Sequence, residues 1–443
     1  MRASQRMPER SQLKRQLGLF ELTATGVGII LGAGIYVLIG EAAGLAGNGV
    51  WLPFLISAIA AAFTGLSYAE LASRYPKAGA TFEYTSQAFG PRSGFVAGWT
   101  MMFAAVIQVS AVGIGFSGYF SEIFDIPRIP VTLGLIGLTA IVLWLGVRES
   151  VRLGIIFAFI ELLGLFLAIT VSARFIGSVD YLEFAAGFSD VMRGSALLFF
   201  AFLGFEQMAN MAEEVNEPSR NLPRSIILAV SLVTVIYMLV AVTSVSAVDW
   251  RELAASTAPL GVVVEQSTRA ELSTVVSVIA LFATANTVLF GMMAASRQVF
   301  GMARAGAMPL TLARLSEGRK TPISAIILVA VASVLFSLAG DIGQVAQMSN
   351  AAVLIAFVLV NASLLKMGSG GETATRVASR WDVRGVGVVP TLGLTTSVVM
   401  LAYTGLIPIL LAIALIVSGI LVRAVLEWKS AVSDVETGST AND

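Results

Sequence analysis

The chain has 443 residues, 56% hydrophobic and only 13% charged, with 28 basic and 28 acidic side chains and neither histidine nor cysteine. Soluble chains carry about 25% charged residues, and many runs here exceed the roughly 18 apolar residues needed to cross a bilayer; with a mean hydropathy of +0.85 the chain reads as an all-α, polytopic membrane protein. The missing cysteines exclude a disulfide framework and a thiolate metal site, and the missing histidines leave any proton coupling to a carboxylate or an amine.

Residues 1–18 are polar and cationic and are expected to form a cytoplasmic segment. The apolar stretch after them is too long for a signal-peptide core and should stay as the first helix. Twelve spans are expected, at about 19–45, 50–73, 93–121, 131–147, 151–176, 191–215, 224–247, 273–303, 322–340, 345–366, 387–404 and 406–424, with a cytoplasmic tail over 426–443. Their long continuous runs differ from the short alternating segments of a β-barrel. With the N-terminus inside, 23 of the 28 basic residues fall on the cytoplasmic side, against Arg128, Arg174, Arg193, Arg251 and Arg269 outside. That bias obeys the positive-inside rule and places both termini in the cytoplasm of a multi-pass cell-membrane protein.

Two of the spans are interrupted. The first, GVGIILGAGIYVLIG from Gly26, is broken by Gly32-Ala33-Gly34, and the sixth, FFAFLGFEQMANMAEEV from Phe199, is broken at Gly204 with Glu206 directly after. Glycine weakens a helix by roughly 1 kcal/mol relative to alanine, and a carboxylate at that depth costs more. Matching weak points in two halves are the mark of helices that unwind at mid-membrane to hold a solute. Five spans make an odd unit, so spans 1–5 (about 19–176) and 6–10 (about 191–366) enter from opposite faces. A 5+5 inverted repeat follows, with spans 11 and 12 (about 387–424) as an added hairpin in a single transporter domain over 19–425.

Four strings carry a resemblance: GVGIILGAGIYVLIG in the first span, SYAELASRYPKAGATFEYTSQAFG from Ser67, GFEQMANMAEEVNEPSRNLPRSI from Gly204, and SRQVFGMARAGAMP from Ser296. In this order, over about residues 18–365, they resemble the amino acid–polyamine–organocation transporter family. The resemblance implies the same 5+5 fold with discontinuous helices 1 and 6, and secondary transport of amino acids or related amines. Its implied partners are an amino acid, membrane lipid and a proton or sodium ion. Neither a cofactor nor a nucleic acid is expected, and the assembly is open between monomer and homodimer.

An unwound helix presents free N–H groups on one side of the break and free C=O groups on the other, and its half-helix N-terminus favours an anion. The amides of Ala33, Gly34 and Ile35, around Gly32, are therefore candidates for a substrate carboxylate, and the carbonyl of Ile30 for its ammonium. The resemblance adds the carbonyls of Phe200, Ala201 and Leu203 beside Gly204, and assigns Phe200 as an outer gate. Phe205 is a candidate for the pocket lining. The competing reading is that these glycines only permit close helix packing, as Gly94 and Gly98 are expected to do.

Glu206, Asn210, Glu213 and Glu217 recur at helical intervals, which predicts one polar face along the lower sixth span, either a cytoplasmic exit path or a structural stripe against neighbouring helices, with Glu206 the deepest and a candidate for ion or proton coupling. Glu161 stands alone in the apolar run FAFIELLGLFLAI. Relatives in the resembled family often carry lysine there, so a lysine-based coupling scheme does not carry over. A carboxylate would itself hold the proton, or help hold a cation, with Thr284 and Thr287 as candidate oxygen donors; the alternative is a purely structural carboxylate. No nucleotide loop, metal-ligand cluster or nucleophile–base pair argues for an enzyme. The expected function is secondary active, proton-coupled uptake of neutral or broad-range amino acids, neutral or apolar ones foremost, by alternating access; amino acid/amine exchange and a non-transporting nutrient receptor on the same fold are the alternatives.

Overall fold

The computed structural model describes residues 17–75, 80–185, 187–212, 215–268, 270–304, 306–316, 321–338, 340–368, 382–383 and 386–439. The first half contains α1 (Leu19–Ile30), α2 (Ala33–Ala46), α3 (Trp51–Arg74), α4 (Ala80–Phe89), α5 (Pro91–Phe124), α6 (Arg128–Leu145) and α7 (Val147–Ser172). The second contains α8 (Phe188–Leu198), α9 (Phe205–Asn210), α10 (Pro218–Ala247), α11 (Trp250–Ala255), α12 (Pro259–Ser267), α13 (Ala270–Arg304), α14 (Ile323–Ser337) and α15 (Ile342–Met367). A short hairpin, Asp382–Val383 with Val386–Gly387, precedes two closing helices, Val388–Tyr403 and Leu406–Ser439.

Among the described residues nine helices are long and apolar enough to cross a membrane, or ten if the bent pair α1–α2 is one span; α14 and Val388–Tyr403 are shorter apolar helices. Helix boundaries follow local chemistry. Gly90, at φ +93°, turns the chain and Pro91 opens α5 at a position where its missing N–H is no loss. Asp249 and Asp341 cap α11 and α15 by accepting from the amides of Arg251 and Gln344, each at 2.8 Å. The amide of Gly18 is satisfied by the Glu21 carboxylate at 3.0 Å.

Burial sorts the helices into a centre and a rim. In the most apolar 18-residue window of Phe188–Ala209, 78% of the residues are buried, whereas in that of Leu406–Trp428 only 17% are. The rim helices turn Leu138, Ile141, Phe159, Phe166, Ile407 and Ile420 outward, an apolar surface suited to lipid and not to water. At the centre α13 lies along α5, and α2 touches α8, α11 and the short helical turn Phe199–Phe202. Gly94 and Gly98 of α5 do lie where a Cβ would press on neighbours, against Ser86 and Phe82 in one case and Met302 in the other.

Several boundaries differ from the sequence reading. The sixth span ends as a helix at Asn210 and not at 215, because Met211 leaves the helical hydrogen-bond pattern and Glu217, at φ 47°, sets a new direction for α10. The polar face expected along that span is therefore cut short: Glu217 sits in the turn beside Arg220 at 3.4 Å, largely exposed. Glu213 lies outside the described residues. The last helix runs to Ser439, and α4, α11 and α12 occupy stretches expected as loops.

Candidate substrate site

The two breaks face each other. α1 and α2 meet at 50° across Leu31-Gly32, and α8 passes through the 3₁₀ turn Phe199–Phe202 before Leu203-Gly204. Gly204 adopts φ +120°, a region open only to glycine, and a Cβ there would sit 2.8 Å from Ile29 Cγ2. Opposite, a Cβ on Gly34 would lie 2.5 Å from Ala201 Cα. These glycines let the two unwound backbones touch, so the close-packing reading holds at Gly34 whatever else the residue does. Gly32 has extended backbone, and a Cβ on it would meet the Thr287 hydroxyl at 2.8 Å.

The orphan groups at the breaks have specific partners. The Ala33 amide donates to Thr287 Oγ1 at 2.9 Å, and that hydroxyl donates to the Ala283 carbonyl at 3.1 Å. The amides of Gly34 and Ile35, also in the first turn of α2, have no partner of this kind among the described residues. Tyr237 of α10 directs its hydroxyl at the carbonyls of both Ile30, at 3.1 Å, and Ala201, at 3.2 Å. Its ring is held by Phe54 and Phe202, with centroids 5.5 Å away in each case. One phenolic O–H thus ties the two breaks together, and each carbonyl keeps a second lone pair. The Phe200 carbonyl accepts from the Leu203 amide at 3.2 Å.

A narrow cavity of about 40 Å³, room for a few waters, opens between the breaks. Ile30, Gly32, Ala33, Gly34, Phe200, Ala201, Leu203 and Gly204 line it, joined by Gly28, Gln108, Gln207, Thr287 and Phe290. Ile35 and Phe205, both expected at the site, are not in its wall. Phe205 is fully buried in an aromatic cluster with Tyr68 and Phe357, at centroid distances of 6.3 and 5.4 Å.

The two carboxylates also lie outside the wall. Glu206 turns back and accepts from the Gly204 amide at 2.8 Å, so it caps the half-helix α9 that begins beside it. Glu161 of α7 is fully buried, and both its carboxylate oxygens lack a hydrogen-bond partner among the described residues. Its main-chain carbonyl accepts from Tyr36 of α2 at 2.7 Å; Tyr119 in turn donates to the Tyr36 carbonyl at 2.7 Å. Thr284 donates to Ala280 of its own helix at 2.7 Å, the local bond that competes with any role as an ion ligand.

The sequence reading missed Tyr237, Gln108, Gln207 and Asn286. A signal did exist for the last three, since amides inside apolar spans are costly and tend to mark solute paths. Tyr237 had none, because a tyrosine in an apolar helix reads as core.

Residues 17–428 match the amino acid permease family, nearly the whole chain. The chain belongs to that family. Among its relatives, a branched-chain amino acid permease of Bacillus subtilis is 28% identical over 93% of this chain and 92% of its own length. A methylthioribose transporter of the same organism is 28% identical over 80% of this chain and 81% of its own. A vacuolar cationic amino acid transporter of Arabidopsis thaliana is 28% identical over 80% and 63% respectively. These relatives are permeases, not enzymes, and equal identity to three differently named transporters leaves the substrate to individual wall residues.

Proposed function

We propose that this chain is a secondary active transporter that takes up neutral amino acids across the cell membrane by alternating access. The observation that carries the reading is the pair of unwound backbones meeting across one cavity, each with polar groups that no regular helix would leave free. In this reading the helices form twelve spans in a 5+5 inverted repeat with an added hairpin, and both termini are cytoplasmic.

The substrate carboxylate lies at the amide of Gly34, beside Thr287, where the N-terminus of α2 supplies partial positive charge. Its ammonium lies at the carbonyls of Ile30 and Ala201, sharing them with the Tyr237 hydroxyl. Phe200 closes the cavity from the outer side. Glu161, one residue contact from α2 through Tyr36, carries the coupling proton, and Glu206 shapes the break rather than titrating. A carboxylate able to take up and release a proton suits symport better than obligatory exchange.

The test is uptake by purified protein in sodium-free liposomes, with and without an inward proton gradient, across the amino acids. Accumulation of a neutral amino acid that requires the gradient is the expected result. Uptake that requires a preloaded amino acid and ignores the gradient would make the protein an exchanger. Absence of counterflow in a protein that binds amino acids would make it a receptor.

A further inference from the structure

One wall of the cavity has a chemistry that backbone recognition of an amino acid does not use. Gln108 of α5, Gln207 of α9 and Asn286 of α13 all line it, together with the ring of Phe290. None of the three side-chain amides has a hydrogen-bond partner among the described residues. Asn286 is 2% exposed, and its Oδ1, sheltered beside Gly154 of α7, is a buried acceptor without a donor. Gln108 and Gln207 are half-buried. The wall is held in place by packing: a Cβ on Gly291, which also lines the cavity, would sit 2.9 Å from Val109, the neighbour of Gln108.

We infer that this amide wall is the side-chain subsite of the transporter, and that it selects neutral amino acids whose side chains donate and accept hydrogen bonds over branched aliphatic ones. The inference rests on the amino acid reading above and narrows it. Each carboxamide offers both a carbonyl acceptor and an NH₂ donor, so the wall matches an amide or hydroxyl side chain of either polarity. Among the described residues no acidic or basic side chain lines the cavity to balance a charged substrate. An aliphatic side chain placed here would strip water from the half-buried Gln108 and Gln207 amides without replacing its hydrogen bonds, and would leave Asn286 unpaired. A site built for hydrogen bonding discriminates strongly against an analogue that lacks the group, because the wall is then left unpaired. Phe290 covers the apolar stem of the side chain.

Near-isosteric pairs separate shape from hydrogen bonding: L-asparagine against L-leucine, and L-threonine against L-valine. Equilibrium binding of each to the purified wild-type protein should favour the polar member of both pairs by about tenfold or more. Replacing Asn286→Leu should collapse the asparagine-to-leucine ratio by a similar factor, with leucine binding no weaker than before. A Gln108→Leu variant offers the same comparison from a different helix should the first not fold. Leucine and valine binding as tightly as their polar partners in the wild type would overturn the inference while leaving amino acid transport standing. A ratio that survives both replacements would remove the subsite from these amides. Binding of 5-methylthioribose with no binding of any amino acid would overturn both readings together, a result distinguishable from the others by the ligand alone.

Discussion

Glu161 is the residue whose situation most needs a reason. Removing an ionised carboxylate from water without a partner costs several kcal/mol, yet both its oxygens are buried and unpartnered among the described residues, while its backbone carbonyl accepts from Tyr36. A structural carboxylate would be expected to hold a neighbour, as Glu206 holds the Gly204 amide. The contrast divides the two acids: one caps a helix, and the other, in the proposed cycle, exchanges a proton when water reaches it. Glu161→Gln preserves the shape and fixes the side chain as neutral. The expected outcome in sodium-free liposomes is loss of gradient-driven accumulation with binding retained and counterflow at least partly preserved. Accumulation equal to that of the wild type would move the coupling proton elsewhere.

At the scale of elements, the two breaks act as one unit. Gly34 meets the Ala201 backbone, Gly204 meets Ile29, and Tyr237 bonds a carbonyl on each side. Adding even a methyl group at Gly34 forces backbone against backbone, a form of overpacking that costs about 1–3 kcal/mol. Gly34→Ala should therefore lower the thermal unfolding midpoint and slow transport together, whereas Gly134→Ala on α6, with nothing within 4 Å of the added carbon, should lower neither. A Gly34→Ala protein with unchanged stability would mean the breaks do not bear on each other. The placement of these breaks was legible in the sequence because glycines and a carboxylate interrupt otherwise apolar runs. What filled the breaks was not. Tyr237 comes from α10, distant in sequence, and reads there as an ordinary core tyrosine; the amide of Asn286 stands out in its apolar span, but nothing local places it at the breaks. The end of α9 at Asn210 was also hidden, since Glu213 and Glu217 continue the helical spacing after the helix itself has stopped.

For the whole molecule, the positions of the cavities make the topology and the transport cycle testable in one design. The cavity between the breaks extends toward Gly28, on the Leu19 side of the first break. A second cavity of about 440 Å³ lies alongside α2, past the break, lined by Val37, Glu41, Arg128, Thr257 and Asp341. In the proposed orientation, with the Leu19 end in the cytoplasm as the bias of basic residues implies, the first cavity is inward and the second outward. The chain has no cysteine, so a single introduced thiol reports its own accessibility without a background. Gly28→Cys is tolerable because the nearest atom to its Cβ is 3.9 Å away, and Thr257→Cys is exposed. A membrane-impermeant thiol reagent should label Thr257→Cys in intact cells and Gly28→Cys only in inside-out vesicles. The reverse pattern would invert the topology. Alternating access adds a further requirement: saturating substrate should change the labelling rate of Gly28→Cys by shifting the population between states, since a ligand moves an equilibrium only by binding one state better than the other. A labelling rate indifferent to a substrate that is bound would mean that the cavity does not open and close around it.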